Sequence, residues 1–147
     1  MEAHSPFHLS LLTDQPERQR AFYIDVLGCK LARSTATFDD FDFFGHQLTF
    51  HRRAESLDLP YASFHFGAIV SWQAFDALVE RLTRAAAKLI IPPTAQQSGT
   101  EDERRKLVVL DPSGYAIELK CYKNPGRALV QAEGYARVEP VADEHEE

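Results

Sequence analysis

The sequence predicts an α+β fold built from two tandem βαβββ modules, related by a pseudo-twofold axis and forming one curved mixed sheet around a cleft. Three observations carry that expectation. A Phe-His pair leads into an apolar run twice, at Phe7-His8 and Phe64-His65, with the second histidine 57 residues after the first. Each run is followed by a helix start and a segment with apolar residues at the helical period, and each helix by three strand-like segments. Modules of this size cannot close a core alone, so the two should pack side by side with equivalent positions on their first strands facing each other.

The elements follow in order. The first strand runs from Phe7 to about Leu12, and Asp14, Pro16 and Glu17 then supply an N-cap, an early helical proline and an acidic residue at the capping-box position. Phe22 and Val26 share one helical face, and Gly28 suits a left-handed C-terminal cap. Strands are expected at about 29–34, 37–44 and 47–53. The second module opens with SFHFGAIV, a strand from Phe64 to Val70, then a Ser71 cap and a helix carrying Phe75, Leu78, Val79 and Leu82. Strands follow at about 88–92, 105–110 and 115–122, the last two joined by Asp111-Pro112-Ser113-Gly114, a tight-turn sequence. The polar segment Ala95 to Arg105 reads as a solvated loop. The expected organisation is a single domain over 1–124, with module one at about 6–53 and module two at about 63–123. Residues 125–147 form a tail that is acidic at its end.

Composition limits what the chain can do. Its 147 residues make one domain able to bury roughly two thirds of its unfolded surface. No window approaches the roughly 18 continuous apolar residues of a membrane span, and the opening MEAHSPFHLS lacks the basic and apolar segments of a signal peptide. The reading is a cytoplasmic protein without a membrane partner. A net charge of −6 and no basic stripe argue against nucleic acid. Cys29 and Cys121 are too few and too far apart for a disulfide framework or a thiolate zinc site, and read as small buried residues in a reducing compartment.

The two strand-borne histidines become a candidate site through the repeat, because a twofold would bring them together. In the last strand, alternation sets Ile117, Leu119 and Cys121 against Ala116, Glu118 and Lys120. Glu118 then points into the cleft, where a lone carboxylate is costly unless paired or bound to a metal. A salt bridge to Lys120 is one outcome. The other is convergence of His8, His65 and Glu118 on a divalent metal, a facial arrangement with open positions that suits Fe(II) and also accommodates Mn(II), Ni(II) or Zn(II).

The two modules, the histidine opening each one and the closing LDPSGYAIELK resemble the vicinal oxygen chelate superfamily of glyoxalases, fosfomycin- and bleomycin-resistance proteins and extradiol dioxygenases. The likeness runs from about Pro6 to Lys123, and FDFFGHQLTFH and FHFGAIV are most similar to small single-domain members described as predicted extradiol-type dioxygenases. The resemblance implies metal binding by His8, His65 and Glu118, and a small-molecule substrate with adjacent oxygens. The strand from Gly45 to His51 carries no carboxylate, whereas glyoxalase I-like members usually have a glutamate there, so extradiol cleavage of a catechol-like substrate is the leading expectation. His51 lies on the strand where ring-cleaving relatives carry a histidine near the metal, and is nominated as the acid–base residue. Gln47 and Thr49 share its face and are candidate substrate contacts, as are His46 and Tyr122. Larger ring-cleaving relatives also have a tyrosine on the strand before the carboxylate, where this chain reads Lys106-Leu107-Val108-Val109-Leu110. The competing expectations are another metal-dependent lyase, isomerase or transferase, and a sequestration protein without chemistry. Exposed sheet edges offer a surface through which two copies could pair as a homodimer.

Overall fold

The computed structural model describes residues 5–57 and 64–129. The expected repeat is present. The first module comprises β1 (His8–Thr13), α1 (Pro16–Ala21), β2 (Lys30–Ser34), β3 (Phe38–Phe43) and β4 (His46–Arg52). The second comprises β5 (Phe66–Ile69), α2 (Trp72–Arg84), β6 (Leu89–Gln96), β7 (Arg104–Leu110) and β8 (Ala116–Tyr122). Each module forms its own four-stranded sheet, in the orders β1-β4-β3-β2 and β5-β8-β7-β6. The first strand of each pairs in parallel with the last, and the other pairings are antiparallel.

The single curved sheet expected from the sequence is therefore two sheets. Strands β1 and β5 are each hydrogen-bonded on one side only, and the modules meet through side chains. Phe43 stands edge-on to Phe66 (5.7 Å between ring centroids) and Phe50 against Tyr115 (5.9 Å). The Tyr115 hydroxyl donates to the Leu12 carbonyl (2.8 Å), and Arg81 Nε to the carbonyl of Val26 (3.0 Å). One apolar core results, drawing Tyr23, Phe41, Leu48 and Phe50 from the first module and Phe75, Leu82, Ile117 and Leu119 from the second.

Local signals explain most boundaries. Ser71 caps α2 by accepting from Ala74 N (3.1 Å), and Phe75, Leu78 and Leu82 form its buried face. Gly28, at φ +77°, ends the first helical segment in the left-handed region, as expected. Asp14 is not the cap of α1, which corrects the sequence reading. Gln15 occupies that position without a side-chain cap bond, and its own N–H is taken by the Thr13 hydroxyl (3.0 Å). The helix also continues as a π-helical segment, Phe22–Val26, with Tyr23 fully buried. The loop expected from Ala95 to Arg105 is shorter, because β6 extends to Gln96 and β7 begins at Arg104. Strand β6 passes through Pro92 and Pro93 because it is an edge strand with register shifts between Leu89 and Thr94, where a missing N–H costs little.

Pro125–Leu129 form a 3₁₀ turn. The acidic end of the tail lies outside the described residues. Among the described residues, no helix is long and apolar enough to cross a membrane.

Candidate metal centre

Alternation in β8 buries Ile117, Leu119 and Cys121 against the helices and turns Glu118, Lys120 and Tyr122 to the opposite face. His65 immediately precedes β5, which pairs in parallel with β8 so that Gly67 stands opposite Glu118 and Ile69 opposite Lys120. This brings His65 Nε2 within 3.7 Å of Glu118 Oε2. The two share a cavity of about 300 Å³ whose wall also includes Gly67, Ile69 and Lys120. The close seating of β5 depends on Gly67, since a β-carbon there would fall within the Glu118 carbonyl group. Two donors bound to one divalent ion at about 2.0–2.2 Å stand about 3–4 Å apart. The imidazole and carboxylate of this pair fit that spacing and that donor chemistry.

The salt bridge to Lys120 considered from the sequence is not the one observed. Lys106, across the sheet on β7, has its Nζ 3.9 Å from Glu118 Oε1. The Lys120 ammonium lies 5.9 Å from the centre of the Tyr122 ring.

His8 occupies the equivalent place in the other sheet, exposed at the start of β1 on the face turned away from the helices. It does not join His65 and Glu118 within the chain, for among the described residues no group of three or more His, Cys, Asp or Glu side chains is gathered as a metal site. Register places Gln47 opposite His8, Thr49 opposite Ser10 and His51 opposite Leu12. Gln47 is thus the polar neighbour of His8 on β4, and it is exposed.

The other nominated residues have defined surroundings. Thr49 is buried and donates its hydroxyl to Asp40 (2.6 Å). His46 accepts the Phe7 N–H at Nδ1 (2.7 Å), which ties down the start of β1. His51 lies against the Phe38 ring, with 5.4 Å between centroids. It is four residues beyond the His8–Gln47 rung, about 13 Å along the strand, which exceeds the reach of direct proton transfer to a group on that rung. Tyr122 is equally far from Glu118 along β8 and stands opposite Arg104.

Two features escaped the sequence reading. Lys106 was visible only as part of an apolar strand, although counting back from the Asp111–Gly114 turn gives its register. Asp111 was read as a turn residue, yet it is also buried and joins the modules. Its Oδ2 accepts from Gln19 Nε2 (2.6 Å) and the Tyr23 hydroxyl (2.9 Å). Burial pushes its pKa up to about 6 despite these donors.

Comparison with known proteins agrees with this architecture. The family model described as Glyoxalase/Bleomycin resistance protein/Dioxygenase superfamily matches residues 5–119. A glyoxalase/bleomycin resistance protein/dioxygenase from Alicyclobacillus acidocaldarius is 25% identical, with 85% of this chain and 96% of that one covered at a TM-score of 0.70. A glyoxalase/dioxygenase from Nostoc punctiforme is 19% identical, over 80% and 90% of the two chains, with a TM-score of 0.66. The fosfomycin resistance protein FosX from Listeria monocytogenes shares the fold at 15% identity, over 82% and 93%, with a TM-score of 0.62. No curated protein matches the chain.

Proposed function

The chain belongs to the glyoxalase/bleomycin resistance protein/dioxygenase superfamily, and on that footing we propose that it is a metal-dependent enzyme whose divalent ion, Fe(II) in this reading, is held by His65 and Glu118 of one chain and His8 of a second copy. The observation that carries the proposal is the His65–Glu118 pair, 3.7 Å apart on one cavity. Two donors leave an ion undercoordinated, and the chain has one further imidazole at the symmetry-equivalent position. A twofold between copies satisfies the repeat as well as a twofold within one, and each copy then lends His8 to the other. Exposed apolar side chains lie next to each histidine or on the same strand, Phe7 adjacent to His8 with Leu12 further along β1, and Phe64 adjacent to His65 with Ile69 on the same cavity. They give such an interface an apolar lining.

The proposed reaction is extradiol-type ring cleavage of a small catechol-like substrate. When bound, the ion would supply Lewis-acid charge for two adjacent substrate oxygens and, as Fe(II), electrons for oxygen activation. The chain's own residues bind and orient the substrate. Gln47, beside His8, can hold a substrate hydroxyl by hydrogen bonding but takes no proton. The acid–base role of His51 requires a substrate that extends along β4, and Tyr122 would contact a substrate that extends along β8. Thr49 and His46 act indirectly, the first by fixing Asp40 and the second by fixing the strand that carries His8. The absence of a carboxylate between Gly45 and His51 weighs against glyoxalase-type proton transfer.

Metal analysis of protein purified without chelator should find close to one divalent ion per chain, lost in both His65→Ala and His8→Ala. Mixing those two variants tests the shared site, because each mixed dimer regains one intact set of ligands and occupancy should recover to about a quarter of wild type. No recovery, with subunit exchange verified, would place all ligands within one chain. Oxygen uptake by anaerobically Fe(II)-loaded protein on a catechol panel tests the reaction, and none despite full iron occupancy would rule it out. Ligand binding by a metal-free wild type would instead support sequestration.

A further inference from the structure

On the face of the second sheet that carries Glu118, β7 sets Lys106 directly opposite Lys120 of β8. Like charges directly opposed on one face of an antiparallel pair are destabilising. Arg104 extends the row at the next same-face position of β7, and its partners among the described residues are neutral, the Gln96 side-chain oxygen (3.2 Å) and the Asp102 carbonyl (3.3 Å). Among the described residues, this part of the face sets one carboxylate against three cations. Glu118 gives one oxygen to Lys106 at 3.9 Å and the other to His65 at 3.7 Å. Among the described residues Lys120 has no carboxylate within ion-pair distance, and it lines the same cavity as His65 and Glu118. The carboxylates on the corresponding face of the first sheet are already engaged, Asp40 by Thr49 and Arg33, Asp42 by the N–H of Gly45.

Once Glu118 is committed to a divalent cation, the two lysines have no counter-charge among the described residues and stand beside a doubly positive ion. We infer that Lys106 and Lys120 bind an oxyanion substituent of the substrate, a carboxylate or a phosphonate, so that the molecule accepted carries a negative group beside its two metal-directed oxygens. This rests on the metal-site reading above. It narrows the substrate from any vicinal diol to an anionic one, and it assigns recognition to lysines on the sheet face rather than to the ligands themselves.

Calorimetry on Zn(II)-loaded and chelator-stripped protein tests it, with 3,4-dihydroxybenzoate compared against its methyl ester and the matching phosphonate against its dimethyl ester. At low salt one acid of the two pairs should bind about tenfold or more tighter than its ester, with the preference shrinking as ionic strength rises. Which pair shows the preference distinguishes carboxylate from phosphonate. The Lys106→Gln/Lys120→Gln double variant should lose the preference, while its Zn(II) affinity is unchanged or tighter because two nearby positive charges are gone. Lys120→Arg should retain the preference, which separates charge from folding. Acids that bind no tighter than their esters, or a preference that survives the double variant, would overturn the inference. Zn(II) uptake without any preference defeats this inference and leaves the metal site standing. A preference that persists in protein unable to take up Zn(II) keeps the oxyanion site on the two lysines and overturns the metal-site reading, and with it the two metal-directed oxygens of the substrate.

Discussion

Asp111 gives the sharpest stability prediction, because burial and hydrogen bonding pull its ionisation in opposite directions. It is 5% exposed, and four donors converge on its carboxylate: the Gln19 amide and Tyr23 hydroxyl on Oδ2, and the N–H groups of Ser113 and Tyr115 on Oδ1. Desolvation outweighs them and raises the pKa from 3.8 to about 6. An unfolded chain ionises this group near pH 4, whereas the folded protein keeps the proton until about pH 6. Between those values the folded state binds the extra proton, so its stabilising effect is fully present below about pH 4 and is lost as pH rises through 6. A shift of about two pH units corresponds to at most about 3 kcal/mol. Urea denaturation of metal-free wild type and Asp111→Asn across pH 4 to 7.5 measures it, since most other titrating groups cancel in the difference. The wild-type advantage over the amide should shrink by up to about 3 kcal/mol between the two ends of that range. A difference that is flat, or that grows with pH, would mean that the four donors hold the carboxylate ionised and that burial is not the dominant effect.

Other expectations follow from single contacts. Gly67→Ala must push β5 away from the Glu118 backbone, so thermal melting should show a loss of about 1–3 kcal/mol and Zn(II) titration a weakened site; unchanged metal affinity would disconnect the seating of β5 from the site. Ser71→Ala removes the acceptor for Ala74 N and should cost about 1 kcal/mol without altering metal binding. Cys29 and Cys121 are both buried and free, and burial pushes the Cys29 thiol up to about 12. A disulfide reagent at pH 8 should therefore modify neither in native protein and both in denaturant, and fast native labelling would contradict their burial.

What the sequence displayed most clearly was anything set by periodicity or by a cap. The alternation in β8, the buried stripe of α2 and the Ser71 cap are local facts, and each appears where the residues indicated. The errors lie where tertiary context decides. The strand expected at about 88–92 instead continues through Pro92 and Pro93 to Gln96, because an edge strand tolerates their missing N–H groups. Asp14 looked like a helix cap, yet Thr13 takes the Gln15 N–H and the helix begins without a side-chain cap. The inter-module role of Asp111 had no local signal, since its partners Gln19 and Tyr23 lie some 90 positions upstream.

The site itself separates two kinds of information that a strand carries. Alternation reports which face a side chain occupies, and that sufficed to put Glu118 with Lys120 and to set Gln47 and His51 on the same face as each other. Register reports which residues meet, and it is fixed by the turn. From Asp111–Gly114, Leu110 falls opposite Ala116, Val108 opposite Glu118 and Lys106 opposite Lys120, so the opposed lysines were encoded by the same turn that announced the hairpin. The lysine paired with Glu118 is therefore twelve positions away rather than the neighbour two positions along. The repeat carries a third kind of information, an equivalence between His8 and His65 that holds for a twofold inside one chain and for a twofold between two chains alike. Because His8 stands on its own sheet, apart from His65 and Glu118, the proposed ligand set calls for the second kind of twofold, and the mixed-variant experiment tests it directly.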